Sequence, residues 1–175
     1  MIIEDKTISG LYLIKYNIFR DNRGVFSKFY SNELFKKNNI NFQIKQVNLS
    51  VNPKKYTLRG FHYQRNKNSE YKIIQCLSGS IYNVVLDIRK NSPTYKKWKS
   101  FKLTNSKNFS LLIPKGCANA WLTTNANTTL LYFHSKNYLP KQDLGIRFND
   151  PFFKVKWPHQ PKVISQKDSS YTDYK

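Results

Sequence analysis

Short runs of β-branched and aromatic residues, closed by Gly, Pro, Asn or Asp, recur along almost the whole chain. Apolar and polar positions alternate within them. In Leu130-Leu131-Tyr132-Phe133-His134, Tyr132 and His134 share one face and Leu131 and Phe133 the other. The pattern predicts strands over Leu11–Phe19, Val25–Tyr30, Ile44–Leu49, Thr57–Tyr63 and Lys72–Leu77. Further strands are predicted over Ile81–Ile88, Lys99–Leu103, Ser110–Ile113, Ala118–Thr123 and Thr129–Ser135. Asp21-Asn22-Arg23-Gly24 reads as a turn, and Ser78-Gly79-Ser80 as the tip of a hairpin. Only Ser31–Lys37 reads as a helix, with Ser31 placed to cap it. About ten short strands with turn signals every ~8–12 residues predict an all-β sandwich or closed barrel.

Composition narrows this. A chain of 175 residues, 39% apolar and 15% aromatic, fits one globular domain over residues 1–175. No repeat or low-complexity linker divides it; the stretch Gln160–Lys175 is polar enough to be mobile but is not obviously dispensable. No run of about 18 apolar residues is present to span a membrane. Met1–Lys6 lacks the basic-then-apolar order of a signal peptide, and two cysteines, Cys76 and Cys117, make no disulfide framework. The expectation is a soluble cytoplasmic protein.

The formal charge of +20 invites a nucleic-acid reading. Of the 30 basic residues, however, 24 are scattered Lys and only 6 are Arg, and 19 Asn accompany them. Arg is the residue that reads phosphates and base edges in fixed geometry. The excess of Lys and Asn is therefore read as compositional bias, with no nucleic acid as partner. The positive field would still attract a small diphosphate.

Chemistry concentrates in Leu58-Arg59-Gly60-Phe61-His62-Tyr63-Gln64. His62 is the side chain best suited to moving protons near neutral pH. Strict alternation puts Arg59 and His62 on opposite faces, unless a bulge at Gly60 brings both to one pocket. Spacing alone also fits a core His beside a surface Arg. Lys72 opens the next strand and shares a face with Ile74 and Cys76. It is either a cation for a developing enolate or one more solvated Lys. Tyr132 is either a proton donor or a core Tyr with a satisfied hydroxyl. With only three histidines (His62, His134 and His159) and no His-x-His pair, a transition-metal site is not expected. No Gly-rich dinucleotide fingerprint is present either, so no cofactor is expected.

Four motifs occur in order: Arg59-Gly60-Phe61-His62-Tyr63-Gln64; Val85–Lys90 with Ser92-Pro93-Thr94; Ile113-Pro114-Lys115-Gly116; and Gly145–Pro151. Together they resemble the dTDP-4-dehydrorhamnose 3,5-epimerase family, from Asp21 to Asp168. The resemblance implies an all-β, metal-free, cupin-type β-barrel (jelly roll) with one short helix, forming a homodimer by exchange of N-terminal strands. It implies inversion of C3, and possibly C5, of a nucleotide-diphosphate 4-keto sugar for bacterial capsule or O-antigen synthesis. Position by position, His62 resembles the general base, Asp168 the carboxylate orienting it, Lys72 the enolate stabiliser and Tyr132 the acid on the opposite sugar face. Arg59 matches a substrate contact, Arg23 and Phe26 a segment reaching the partner's site, and Gln46, Asn48 and Tyr138 further pocket positions.

Two positions depart from the pattern. Asn119 stands beside the sugar where dTDP-sugar epimerases usually have His, and Lys28 where the family often carries a carboxylate. They leave the substrate open between dTDP-4-keto-6-deoxyglucose and a GDP-4-keto-heptose, as used by some relatives. The rival activities are a 3,4-ketoisomerase, which usually has paired His, and a sugar-nucleotide binding module without chemistry.

Overall fold

The structure, a computed structural model, describes residues 1–174; Lys175, the last residue of the expected domain and tail, lies outside them. The strands are β1 (Ile2–Glu4), β2 (Tyr12–Lys15), β3 (Ile18–Asp21), β4 (Gly24–Ser27), β5 (Gln46–Asn52), β6 (Leu58–Gln64) and β7 (Lys72–Ser78). They continue with β8 (Ser80–Asp87), β9 (Trp98–Thr104), β10 (Phe109–Ile113), β11 (Cys117–Thr123), β12 (Thr128–His134) and β13 (Asp143–Gly145). Among the described residues there are two α-helices, α1 (Asn32–Lys37) and α2 (Gln166–Ser169).

A six-stranded antiparallel sheet, in the order β1-β2-β10-β7-β12-β5, faces a five-stranded one, β13-β6-β11-β8-β9; β3 and β4 form a separate hairpin. Ile74 and Leu130 from the first sheet interlock with Ile81, Val85 and Trp121 from the second to fill the space between them. Outside the first sheet, Ile73, Leu112 and Phe133 pack on Phe35 of α1 and on Phe42. Outside the second, Phe61, Val84 and Ala118 are covered by Phe153 and Trp157. Each fully buried Leu, Ile or Phe contributes about 1.5–3 kcal/mol. Because β8 and β11 are covered on both faces, they read as near-continuous apolar runs rather than alternating ones. This is the expected all-β, cupin-type jelly-roll architecture.

Several local expectations change. The single strand expected over Leu11–Phe19 is broken into β2 and β3; at the break Tyr16 is buried and its hydroxyl donates to Gln75 Oε1 at 2.5 Å. The turn at Gly79 is not a hairpin: β7 and β8 belong to different sheets, and the chain crosses between them there. The expected single helix is joined by α2, whose N-cap Ser165 accepts from the Asp168 N–H at 3.0 Å. The tail is anchored rather than loose. Leu58 N–H donates to Val163 O at 2.8 Å, Tyr174 N–H donates to Asp150 Oδ2 at 2.7 Å, and the Tyr171 ring lies flush against Gly145.

The bulge at Gly60 is present. Against β11, Asn119 pairs with His62 but Trp121 pairs with Arg59, so three steps on β6 match two on β11. Gly60 has φ +107, and a Cβ there would meet the backbone O of Asn119 and sit 2.7 Å from Ala120 Cα. Only glycine fits both the conformation and the space.

Candidate active site

A cavity of about 640 Å³ opens between the two sheets. Lys72 of β7, Tyr132 and His134 of β12 and Asn48 of β5 line one wall. Arg59 and His62 of β6, with Asn119 and Trp121 of β11, line the other. The tail closes the side with Lys167 and Asp168 of α2. The bulge turns Arg59 and His62 into one pocket, which excludes the reading of a core His beside an unrelated Arg.

His62 Nε2 lies 2.8 Å from Asp168 Oδ1, while Asp168 Oδ2 accepts from the Gly60 N–H at 3.0 Å. Burial pushes the Asp168 carboxyl up, but the His62 imidazole, the Gly60 N–H and Ser165 outweigh it and hold it below the usual carboxylate range. Asp168 is therefore an anion at neutral pH. It accepts a ring N–H from His62 and leaves the other ring nitrogen free.

On the opposite wall, the Tyr132 hydroxyl accepts from the Trp121 indole N–H at 2.6 Å. Burial raises its pKa well above the ordinary phenol value, against the lowering effects of the Trp121 hydrogen bond and the Arg59 charge. The group rests as a neutral phenol with a proton to give. Lys72 is not a solvated surface Lys: its side chain is 16% exposed, and its Nζ lies 3.7 Å from Glu70 Oε1. Arg59 lies over the Trp121 ring at 5.9 Å and donates from Nε to Asn52 Oδ1 at 3.3 Å. Asn119 Nδ2 is spent inside the wall, donating to Asn83 Oδ1 and Val84 O, both at 2.9 Å.

A base and a phenol on opposite walls of one pocket, with a cation beside the phenol's wall, form an arrangement for taking a proton from one side of a carbon and returning it on the other. Comparison with known proteins agrees. Residues 5–175 match the sequence model of the dTDP-4-dehydrorhamnose 3,5-epimerase family. The chain belongs to that family. It is an enzyme of the isomerase class. A dTDP-4-dehydrorhamnose 3,5-epimerase of Sinorhizobium fredii is 33% identical over 171 residues, covering 97% of this chain and 88% of the relative. The crystal structure of a dTDP-4-dehydrorhamnose 3,5-epimerase from Bacillus anthracis with TDP and PPi bound superposes with a TM-score of 0.95 at 30% identity, covering 99% of each chain. A 3'-monoepimerase from Streptomyces bikiniensis in complex with dTDP-quinovose gives a TM-score of 0.91 at 26% identity, covering 98% of this chain and 87% of that one.

Within this epimerase-family chain, His62, Asp168, Lys72, Tyr132, Arg59, Asn48, Asn119 and Tyr138 all line the one pocket. Gln46 stands behind them, accepting from the Tyr138 N–H at 3.0 Å and donating to Asn48 Oδ1 at 2.9 Å. Arg23 and Phe26 do not join them: they sit on the exposed β3–β4 hairpin, where Arg23 pairs with Asp21 at 2.6 Å. Glu70 escaped the sequence reading, as did any role for His134. Glu70 Oε2 lies 2.9 Å from His134 Nδ1. Burial pushes Glu70 up, but His134, Lys72 and Gln64 together hold it below its ordinary value. Glu70 lies two residues before Lys72, and in extended chain that spacing puts two side chains on one side. An acid so placed was the available signal. No helix among the described residues is long and apolar enough to cross a membrane.

Proposed function

We propose that the protein, working as one domain, inverts C3, and in one form of the reaction C5, of a nucleotide-linked 4-keto sugar. The placement of His62 and Tyr132 on facing walls carries this reading. A C4 ketone acidifies the hydrogens on C3 and C5, because the carbanion left behind is an enolate. His62, oriented by Asp168, takes such a proton on its free ring nitrogen. Lys72 stabilises the charge that moves to O4, and Tyr132 delivers its proton to the same carbon from the opposite face. The stereocentre is inverted with no net redox change. His62 is left protonated and Tyr132 as a phenolate, and exchange with solvent resets both. Arg59 and the basic surface favour the diphosphate, and Tyr138, Asn48, Gln46 and Asn119 shape the sugar and nucleotide subsites.

The nucleotide is dTDP or GDP, and the product serves bacterial surface polysaccharide. The TDP and dTDP-quinovose bound in the two structural neighbours support a nucleoside diphosphate in this cavity. Asn119 and Lys28 keep a GDP-4-keto-heptose in view. The working unit is a homodimer. It is supported by the exposed apolar residues Phe19, Val25 and Phe26 on the hairpin and Val47, Leu49 and Val51 on edge strand β5. In such a dimer, Arg23 and Phe26 reach the partner's pocket.

The test is proton NMR in heavy water with dTDP- and GDP-linked 4-keto sugars. Loss of the C3 signal alone identifies a 3-epimerase, and loss of C3 and C5 a 3,5-epimerase. His62→Ala is expected to abolish exchange in a folded protein. Near-normal turnover by that variant would remove His62 as the base, and no exchange by the wild type would remove the epimerase reading.

A further inference from the structure

The pocket contains a second histidine–carboxylate pair that the mechanism above does not use. Strands β7, β12 and β5 lie side by side, and their register sets Lys72, His134 and Gln46 in one row across the wall. Glu70 reaches the row from the segment before β7. One of its oxygens faces Lys72 Nζ at 3.7 Å and the other His134 Nδ1 at 2.9 Å. All three side chains are shielded from solvent, with exposures of 16% for Lys72, 10% for Glu70 and 14% for His134.

Two arguments, one of charge and one of geometry, bear on the state of His134. One is charge. A single carboxylate balances one cation, so a protonated His134 beside Lys72 would leave an uncompensated positive charge in a poorly solvated site. The other is the direction of the hydrogen bonds. The backbone N–H of Tyr138 can only donate, and it donates to Gln46 Oε1 at 3.0 Å. That orients the Gln46 amide, whose Nε2 donates to Asn48 Oδ1 at 2.9 Å. Asn48 is thereby turned so that its Nδ2 faces His134 Nε2 at 3.4 Å. His134 Nε2 accepts, so the ring proton sits on Nδ1 and points to Glu70, which as a carboxylate can only accept. The charge argument gives a neutral ring, the hydrogen bonds place its proton on Nδ1, and together they leave the charge of Glu70 committed to Lys72.

We propose that Glu70 is the positioning residue of Lys72, held in place by neutral His134 at the end of a one-directional relay that starts at the Tyr138 backbone. The relay ties the mouth of the pocket, where Tyr138 sits, to the cation that faces the enolate oxygen. It rests on the role assigned to Lys72 above, and predicts that disturbing Glu70 acts on the chemical step through Lys72.

Ring-nitrogen NMR at pH 7.5 gives a reading independent of activity, and with three histidines the His134 signals are identified by their loss in His134→Gln. A neutral ring with its proton on Nδ1 is expected; an imidazolium or an Nε2–H ring would overturn the proposal. Ammonium proton–nitrogen spectra, which detect only protected lysine amines, should show Lys72 in the wild type and lose it in Glu70→Gln. An unchanged Lys72 signal counts against Glu70. In turnover, Glu70→Gln keeps the shape and removes the charge, and should lower kcat about 10–100-fold, with KM changed less than about 3-fold. In a Lys72→Ala background the same change should cost nothing further; an additive loss sinks the idea. If the wild type exchanges no sugar proton at all, the catalytic role of Lys72 falls, while the two spectra still decide whether Glu70 holds it.

Discussion

His62 and Asp168 stand 106 residues apart in the chain and 2.8 Å apart in the pocket. The contact exists because the tail is stitched to the start of β6, by the parallel bridge of Val163 with Thr57 and the Leu58–Val163 hydrogen bond. Asp168 also accepts from the Gly60 N–H, so one carboxylate fixes both the bulge and the imidazole.

Asp168→Asn keeps the shape of the side chain and removes its charge. The His62 ring loses the acceptor that selects its tautomer, and kcat should fall about 10²–10⁴-fold with a smaller change in KM. Steady-state kinetics check the size, and circular dichroism checks that the fold survives. Removing residues 165–175 should silence the enzyme at least as completely.

Tyr132→Phe separates abstraction from delivery. The proposed base on the facing wall, His62, is untouched, so solvent deuterium should still enter the position next to the ketone while the inverted product is not formed. Product stereochemistry and deuterium content, read from one NMR sample, check both halves. Full inversion by this variant would place the acid elsewhere.

Gly60→Ala tests the bulge. The added Cβ meets the Asn119 carbonyl and Ala120 Cα, at a φ of +107 that L-residues rarely adopt. Strain and overpacking together should cost about 3 kcal/mol or more. Urea denaturation measures the loss. Folded protein that remains should turn over poorly, because Arg59 and His62 share a pocket only through this residue.

Much of this was legible in the chain, for particular reasons. The bulge could be read because glycine between Arg59 and His62 is the residue that allows two odd-spaced side chains to face one way. The α1 boundary could be read from its Ser31 cap. Three-residue β1 and β13 and four-residue α2 carry too few positions for any period to show. The polar tail looked loose because its anchors are backbone hydrogen bonds and single side chains, Asp168 and Tyr171, rather than an apolar stripe. The false hairpin at Gly79 arose because a tight turn looks the same within a sheet and between two sheets. Glu70 was missed because it lies outside any strand and its hydrogen-bond partner, His134, comes 64 residues later.

The Val85–Lys90 and Ser92–Thr94 motif builds the frame rather than the chemistry. The buried Asp87 carboxylate accepts from Arg89 Nε at 2.8 Å, Ser92 Oγ at 2.5 Å and Thr94 Oγ1 at 2.6 Å. Burial pushes Asp87 up, but these donors hold it below the usual carboxylate range. A carboxyl lowered in the folded state stabilises fully above its unfolded value near about 4, and loses that contribution as pH falls through the lowered native value. Wild-type stability should therefore drop on acidification below about pH 4. Asp87→Asn should cost about 3 kcal/mol at pH 7 and show a flatter acid profile. Urea titrations at pH 7, 5 and 3.5 compare the two.

Edge strand β5 divides its faces sharply. Asn48 and Ser50 point into the pocket, while Val47, Leu49 and Val51 alternate outward, with Leu49 62% exposed. An open sheet edge carrying an apolar stripe is a pairing surface unless something covers it. The β3–β4 hairpin offers a second apolar patch, with Phe26 66% exposed. A second copy of the chain satisfies both, and it also gives Arg23 and Phe26 a pocket to reach. Wild-type protein should therefore sediment as a dimer, and Leu49→Lys with Val51→Lys should shift it to monomer with a raised KM. Arg23→Ala should raise KM while leaving the dimer whole. A monomeric wild type with full activity would remove both the dimer and the roles given to Arg23 and Phe26, since neither residue lines the pocket of its own chain.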